Sequence, residues 1–224
     1  MTIVEPRTAR PAPTAAPPAD RGQWVVRVAM VAAASLVIAV VGGVLPAWPA
    51  GTDMGSTHYM GLLTANQPWN LLLFMATPVI LAETIAVTEL VVLFSQGRYP
   101  WARAVNRYAG LVAGFYFLGV VSYLTVHAVV PLTRDGGWRG GADVVAVGFY
   151  LAGLVPLYGM ALLETGVLGA GRDETARRKL HAVFVGIFLV VAHIAMIFGM
   201  LDPTVLGWHS TLPGGDTMPG MHMS

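Results

Sequence analysis

LHAVFVGIFLVVAHIAMIFGML, residues 180–201, decides how the rest of the chain is read. It is an unbroken apolar run whose only ionisable groups are two histidines, and its length is close to the ~20 residues an α-helix needs to cross a ~30 Å hydrocarbon core. Four runs of the same kind lie upstream, at about 25–46, 69–95, 108–131 and 143–168. They are too long and too continuously apolar for barrel strands, which alternate apolar and polar residues. In lipid, where backbone groups must be satisfied internally, the remaining solution is helical. The chain therefore reads as an all-α membrane bundle of five spans.

Composition agrees. Hydrophobic residues make up 55% of the chain and charged residues 11%, against roughly 25% charged in an ordinary soluble domain. A water-facing surface for this chain would need more charge than it has. The six tryptophans (Trp24, Trp48, Trp69, Trp101, Trp138 and Trp208) fall at or just beyond span ends, where amphipathic rings favour the headgroup region. The formal net charge of +1 says nothing of partners, because the charges are segregated by position. There is no cysteine. That excludes disulfides, thiolate metal sites, iron–sulfur clusters and cysteine nucleophiles, and leaves His, Met and carboxylates as ligands.

Residues 1–23 are dominated by Pro, Ala, Thr and Arg and cannot bury enough apolar surface to offset their ordering entropy. They read as a disordered tail before an uncleaved anchor, with a signal peptide as the competing reading. The transmembrane domain is then 24–202, and 203–224 form a flexible outer tail. Eleven of the thirteen Lys and Arg residues precede span one or lie between spans two and three or four and five; Arg134 and Arg139 are the other two. The positive-inside rule then sets the N-terminus in the cytoplasm and the C-terminus outside.

Two stretches, THYMGLLTANQPWNLLLFMATPVILAETIAVTEL (57–90) and KLHAVFVGIFLVVAHIAMIFGMLDPT (179–204), resemble a family of small bacterial multi-pass membrane proteins of uncharacterised activity, sometimes labelled permeases. The resemblance covers about 57–204 and omits the tail and the first span. It implies a helical bundle in the bacterial plasma membrane and transfers no functional residue.

An ionisable side chain at helix centre costs about 2.5–3.5 kcal/mol on insertion scales, so each one inside a span needs an explanation. With span direction alternating, Glu89, Glu164 and His181 form an inner layer, and Glu83, His193 and His127 a middle-to-outer one. His193, Met196 and Met200 make one stripe leading outward, and Tyr116, Tyr123 and His127 share a face of span three. Pro78, just before Glu83, frees a backbone carbonyl one turn earlier, as often happens beside membrane sites. The bland reading stands beside this: Glu and His pair across helices, and residues near the inner edge snorkel. Gly110, Gly114, Gly119, Gly153 and Gly159 read as close helix contacts.

The outer segments are rich in methionine and histidine: His58 and Met60 beside Asp53 and Met54, then His209, Met218, Met221, His222 and Met223. Thioether with imidazole suits Cu(I), and imidazole alone suits Cu(II); a tail of this length also collects methionines by chance. No Walker A, GxGxxG, GxSxG or HExxH motif is present, so no catalytic residue is assigned. Nor is there a basic patch with interleaved aromatics to support nucleic-acid binding.

Four functions compete. The first is copper capture by the outer Met and His residues, with passage along the helices. The second is a proton-coupled permease for a small solute, in which Glu83, Glu89, Glu164 and His193 titrate. The third is a subunit holding haem b; the depths of His127 and His193 differ by about 9 Å, which counts against it. The fourth is a structural subunit whose glycine-rich faces serve a homo-oligomer or a larger membrane complex.

Overall fold

The computed structural model describes residues 21–47 and 56–209. Five helices are long and apolar enough to cross a membrane: α1 (Arg21–Val44), α3 (Trp69–Phe94), α4 (Pro100–Arg134), α5 (Gly140–Glu164) and α6 (Glu174–Met200). A short amphipathic helix, α2 (His58–Thr64), precedes α3. No strand occurs among the described residues. The helices overrun the expected spans at several ends. In particular α4 starts at Pro100, so Asn106 and Arg107, just outside the expected span, lie in its second turn.

The exterior is that of a protein solvated by lipid. Ile80, Val87, Phe94, Val183, Val190 and Ile197 all face outward, where a water-soluble bundle would carry charge. The interior holds Ile85, Ala109, Ala113, Phe117, Leu157 and Met160 at the centre. A second cluster, Leu63, Phe74, Val120, Tyr123 and Leu124, lies beneath α2. Helix α4 is the hub, packed by α3, by the second half of α5 and by α1. Helix α6 lies along α5 and only lightly against α3. A lateral groove therefore stays open between α3 and α6.

Small residues set the spacing, as expected in lipid, where close backbone approach replaces hydrophobic drive. A Cβ on Gly114 would fall 2.6 Å from Ala161 Cβ and 2.7 Å from the Leu157 carbonyl oxygen. On α1, Gly42 is the one buried residue; a Cβ there would come within 2.5 Å of Gly119 O. This seam, a 2.6 Å hydroxyl bond between Ser35 and Tyr158 and a 3.3 Å bond from Trp24 Nε1 to Val167 O tie α1 to the outside of the bundle.

The prolines explain the irregular turns. Pro78 lacks an N–H and its ring crowds the carbonyl four residues back, that of Phe74. The helix responds with a π turn over Leu72–Ala76. Its carbonyls are met by hydroxyls from other helices: Tyr150 donates to Phe74 O at 2.6 Å and Tyr116 to Leu73 O at 2.8 Å. Pro131 follows a second π turn, Thr125–Val129. Helix α5 is interrupted at Gly153, just before Pro156. The break expected ahead of Glu83 is thus present, and it recruits Tyr116 and Tyr150 as helix-to-helix ties.

Candidate functional site

The arginine-bearing connections after α3 and after α5 lie at one end of the bundle, here the basic end. There Glu89 on α3 and His181 on α6 face each other, each more than nine-tenths buried, with His181 Nδ1 2.9 Å from Glu89 Oε2. The contact is an ion-pair distance without hydrogen-bond alignment, and both ring nitrogens of His181 lack a hydrogen-bond partner. Asn106 Nδ2 holds the same carboxylate oxygen at 3.2 Å while also donating to Thr88 Oγ1 and Ile85 O, each at 3.1 Å. Glu164 Oε1 lies 3.9 Å from His181 Nε2, and its other oxygen lies 3.8 Å from Arg107 Nε. Glu89, Glu164 and His181, read as one layer from depth alone, come together. Asn106 completes the layer and was missed, because the expected start of span three fell just beyond it.

At the opposite end the buried carboxylate of Asp143 pairs with His58, whose side chain is 23% exposed. Asp143 has no exposed surface. Its Oδ2 accepts from His58 Nδ1 at 2.6 Å and from the Arg139 backbone N–H at 3.1 Å, and its Oδ1 accepts the His58 N–H at 2.7 Å. Arg139 Nη1 in turn donates to Ser56 O. Thr57 Oγ1 donates to Gly199 O at 2.6 Å and clamps α2 onto the last turn of α6. Sequence reading took His58 as a metal ligand and overlooked Asp143, whose signal was an acid in the opening turn of an otherwise apolar run.

Between the ends lies the open groove, 200 Å³, with Glu83, His193, Met196, Tyr59 and Tyr150 in its walls. The Glu83 side chain has no hydrogen bond or ion pair among the described residues. His193 donates from Nδ1 to Leu189 O at 2.6 Å, leaving Nε2. Tyr59 packs on Tyr150 with ring centroids 5.3 Å apart, and burial pushes its hydroxyl up to about 12, so it stays protonated. His127 does not line the groove. It stacks on Tyr123, centroids 4.7 Å apart, with Nε2 buried and unpartnered.

Distances along the helices order these groups. From the Glu89–His181 pair, Glu83 is six residues away on α3, about 9 Å at ~1.5 Å per residue. On α6, His193 is twelve residues from His181, about 18 Å, and Gly199, against which Tyr59 packs, is eighteen, about 27 Å. Ionisable or hydroxyl side chains thus recur about every 9 Å from one end of the bundle to the other, all facing the α3–α6 side or its two ends.

Of the proposed metal ligands, Met60 packs against the core beneath α2. Met196 lines the groove, whereas Met200 is 70% exposed on the outer face. His209 is exposed beyond the short turn Pro203–Leu206, which Asp202 caps. The Thr204 hydroxyl and backbone N–H donate to Asp202 and hold its carboxyl below the usual range. Met218, Met221, His222 and Met223 lie outside the described residues, as do Asp53 and Met54. Among the described residues no three His, Asp or Glu side chains form a metal-binding group.

No curated protein and no solved structure matches the chain. One family model, described as a family of unknown function (DUF6803), matches residues 54–214. The match meets the expectation of an uncharacterised family drawn from 57–90 and 179–204. It takes in α2 to α6 with His58, Glu83, Glu89, Asp143, Glu164, His181 and His193, and leaves out α1 and Met218, Met221, His222 and Met223. With well over half of its length inside that match, the chain belongs to DUF6803, a family of unknown function.

Proposed function

We propose that the protein is a multi-pass membrane carrier that exchanges protons along the α3–α6 side, linked to the passage of a small solute. The observation that carries this is the ladder itself: paired His and acid groups at both ends, with Glu83 and His193 between them. Chains of Asp, Glu and His inside membrane spans are costly, and relays are among the roles for which they occur. Glu83 and His193 lie on the open groove without side-chain partners on other helices. The rungs are too far apart for a direct hop. Water entering the groove, or movement of α3 against the lightly packed α6, would close each gap.

The proposed setting is a bacterial plasma membrane with the basic end in the cytoplasm, following the Lys and Arg asymmetry. Reporter fusions after Gly97 and Gly171 should then read as cytoplasmic and those after Gly136 and at Ser224 as external. An external signal after Gly97 reverses the ladder's direction. Proton exchange at Glu83 is tested by infrared difference spectra of purified protein across a pH titration. A carboxylic acid band should appear and vanish with pH and be missing in Glu83→Gln. A spectrum unchanged by that substitution removes Glu83 from the relay.

Copper capture at the end opposite the basic one is a second reading, supported by the way Asp143 holds His58. A carboxylate on Nδ1 fixes the tautomer and leaves Nε2 as a ligand, the arrangement found behind metal-bound histidines. Deleting 216–224 together with His58→Ala should abolish Cu(I) binding by the purified protein. Binding equal to that of the intact chain ends this reading.

A further inference from the structure

The basic end opens into a cavity of 860 Å³, walled by Arg27, Arg103, Arg107, Arg172, Arg177 and Arg178 and floored by Glu89, Asn106, Glu164 and His181. Glu174 is the third carboxylate in its lining. Six guanidiniums face three carboxylates, so the cavity holds an excess of three positive charges when His181 is neutral. Two of the acids are engaged: Glu164 lies against Arg107, and Glu174 accepts from Arg178. Arg27, Arg103 and Arg172 have no ion pair within 4 Å among the described residues. They come from α1, α4 and the connection before α6, so three separate parts of the chain converge on one space. The charge in itself is ordinary for a cytoplasmic loop. What sets this space apart is His181 at its floor, with a side chain only 6% exposed and both nitrogens lacking a hydrogen-bond partner.

We infer that this cavity is the binding site for a free phosphoryl oxyanion, inorganic phosphate or a small phosphate ester. The inference rests on the carrier reading only for the role of the anion as the solute carried; the binding itself stands apart from it. Guanidinium forks match the oxygens of phosphate in bidentate pairs. An excess of three charges favours a dianion over chloride. Focused positive potential in a recess with low-dielectric walls also raises the local concentration of such an anion. At the floor, the unpartnered His181 ring supplies a donor, and a proton on the Glu89–His181 pair removes the repulsion that an anion would meet from Glu89. Binding of the anion and protonation of the first rung would therefore favour each other.

The test is calorimetric titration of inorganic phosphate into the full-length protein in nanodiscs of zwitterionic lipid, repeated in discs containing phosphatidylglycerol. Saturable phosphate binding that an equal concentration of chloride does not reproduce is expected. Arg103→Gln with Arg172→Gln should weaken it about tenfold or more. Arg98→Gln, at the same end but outside the cavity, should leave it unchanged, with unfolding temperatures confirming that each variant is folded. Glu83→Gln should bind phosphate as the native chain does, so loss of the ladder and loss of this site are separable. Phosphate that binds no better than chloride overturns the inference. So does an equal loss with Arg98→Gln, or a site that anionic lipid fills and free phosphate fails to contest, which would make the cavity a headgroup site.

Discussion

Asp143→Ala should destabilise the folded protein by about 3 kcal/mol, through the donors it leaves without an acceptor. Asp143 has no exposed surface and accepts three hydrogen bonds, from the His58 ring, the His58 N–H and the Arg139 N–H. Each donor left unpaired in a buried position costs about 1–3 kcal/mol. The loss falls on one joint, since these bonds, with the Thr57–Gly199 bond and the packing of Tyr59 and Leu63, hold α2 against the bundle. Asp143→Asn keeps the volume and one acceptor oxygen and should cost less. Thermal unfolding in detergent measures both, with protease cleavage near residues 56–64 reporting release of α2. An alanine variant that melts with the native protein would mean that the pair is strained or fully compensated by neighbours.

How far the sequence could be read depends on the signal in question. Span number followed from continuous apolar length, which needs no knowledge of neighbours, and the structure has five such helices. The grouping of Glu89, Glu164 and His181 was also legible, because depth along alternating helices is nearly one-dimensional. Partners at the span ends were not. Asn106 became visible only once α4 proved to begin several residues earlier than hydropathy placed it, and Asp143, at the very start of its expected span, had no visible partner because His58 lies outside every span. Helices continue into the headgroup region, where polar residues no longer interrupt them, so hydropathy marks the hydrocarbon layer and not the helix. Rotation about the axis was the other blind spot. Helical spacing aligns His193, Met196 and Met200 along α6, but what each one meets depends on how α6 packs against α3 and α5. The structure turns Met200 outward and puts His193 and Met196 on the groove.

Glu83→Gln should abolish proton movement through the protein while leaving it folded and inserted. Glutamine preserves the shape and the hydrogen-bonding capacity of the side chain but cannot gain or lose a proton near neutral pH. Glu83 makes no ion pair among the described residues, so its loss breaks no tie between helices. Stability should change by less than about 0.5 kcal/mol, as for other positions without a structural partner. This contrast separates Glu83 from Asp143. One substitution should remove activity without touching the fold, and the other should damage the fold directly.

The central claim is met most directly by following internal pH in sealed vesicles that contain the purified protein and a pH-sensitive dye, after a step in external pH with phosphate present. The native protein should collapse the gradient much faster than empty vesicles, and Glu83→Gln should match the empty vesicles at equal protein density. A native protein that leaves the gradient standing would contradict the carrier account, and so would a Glu83→Gln variant that collapses it at the native rate.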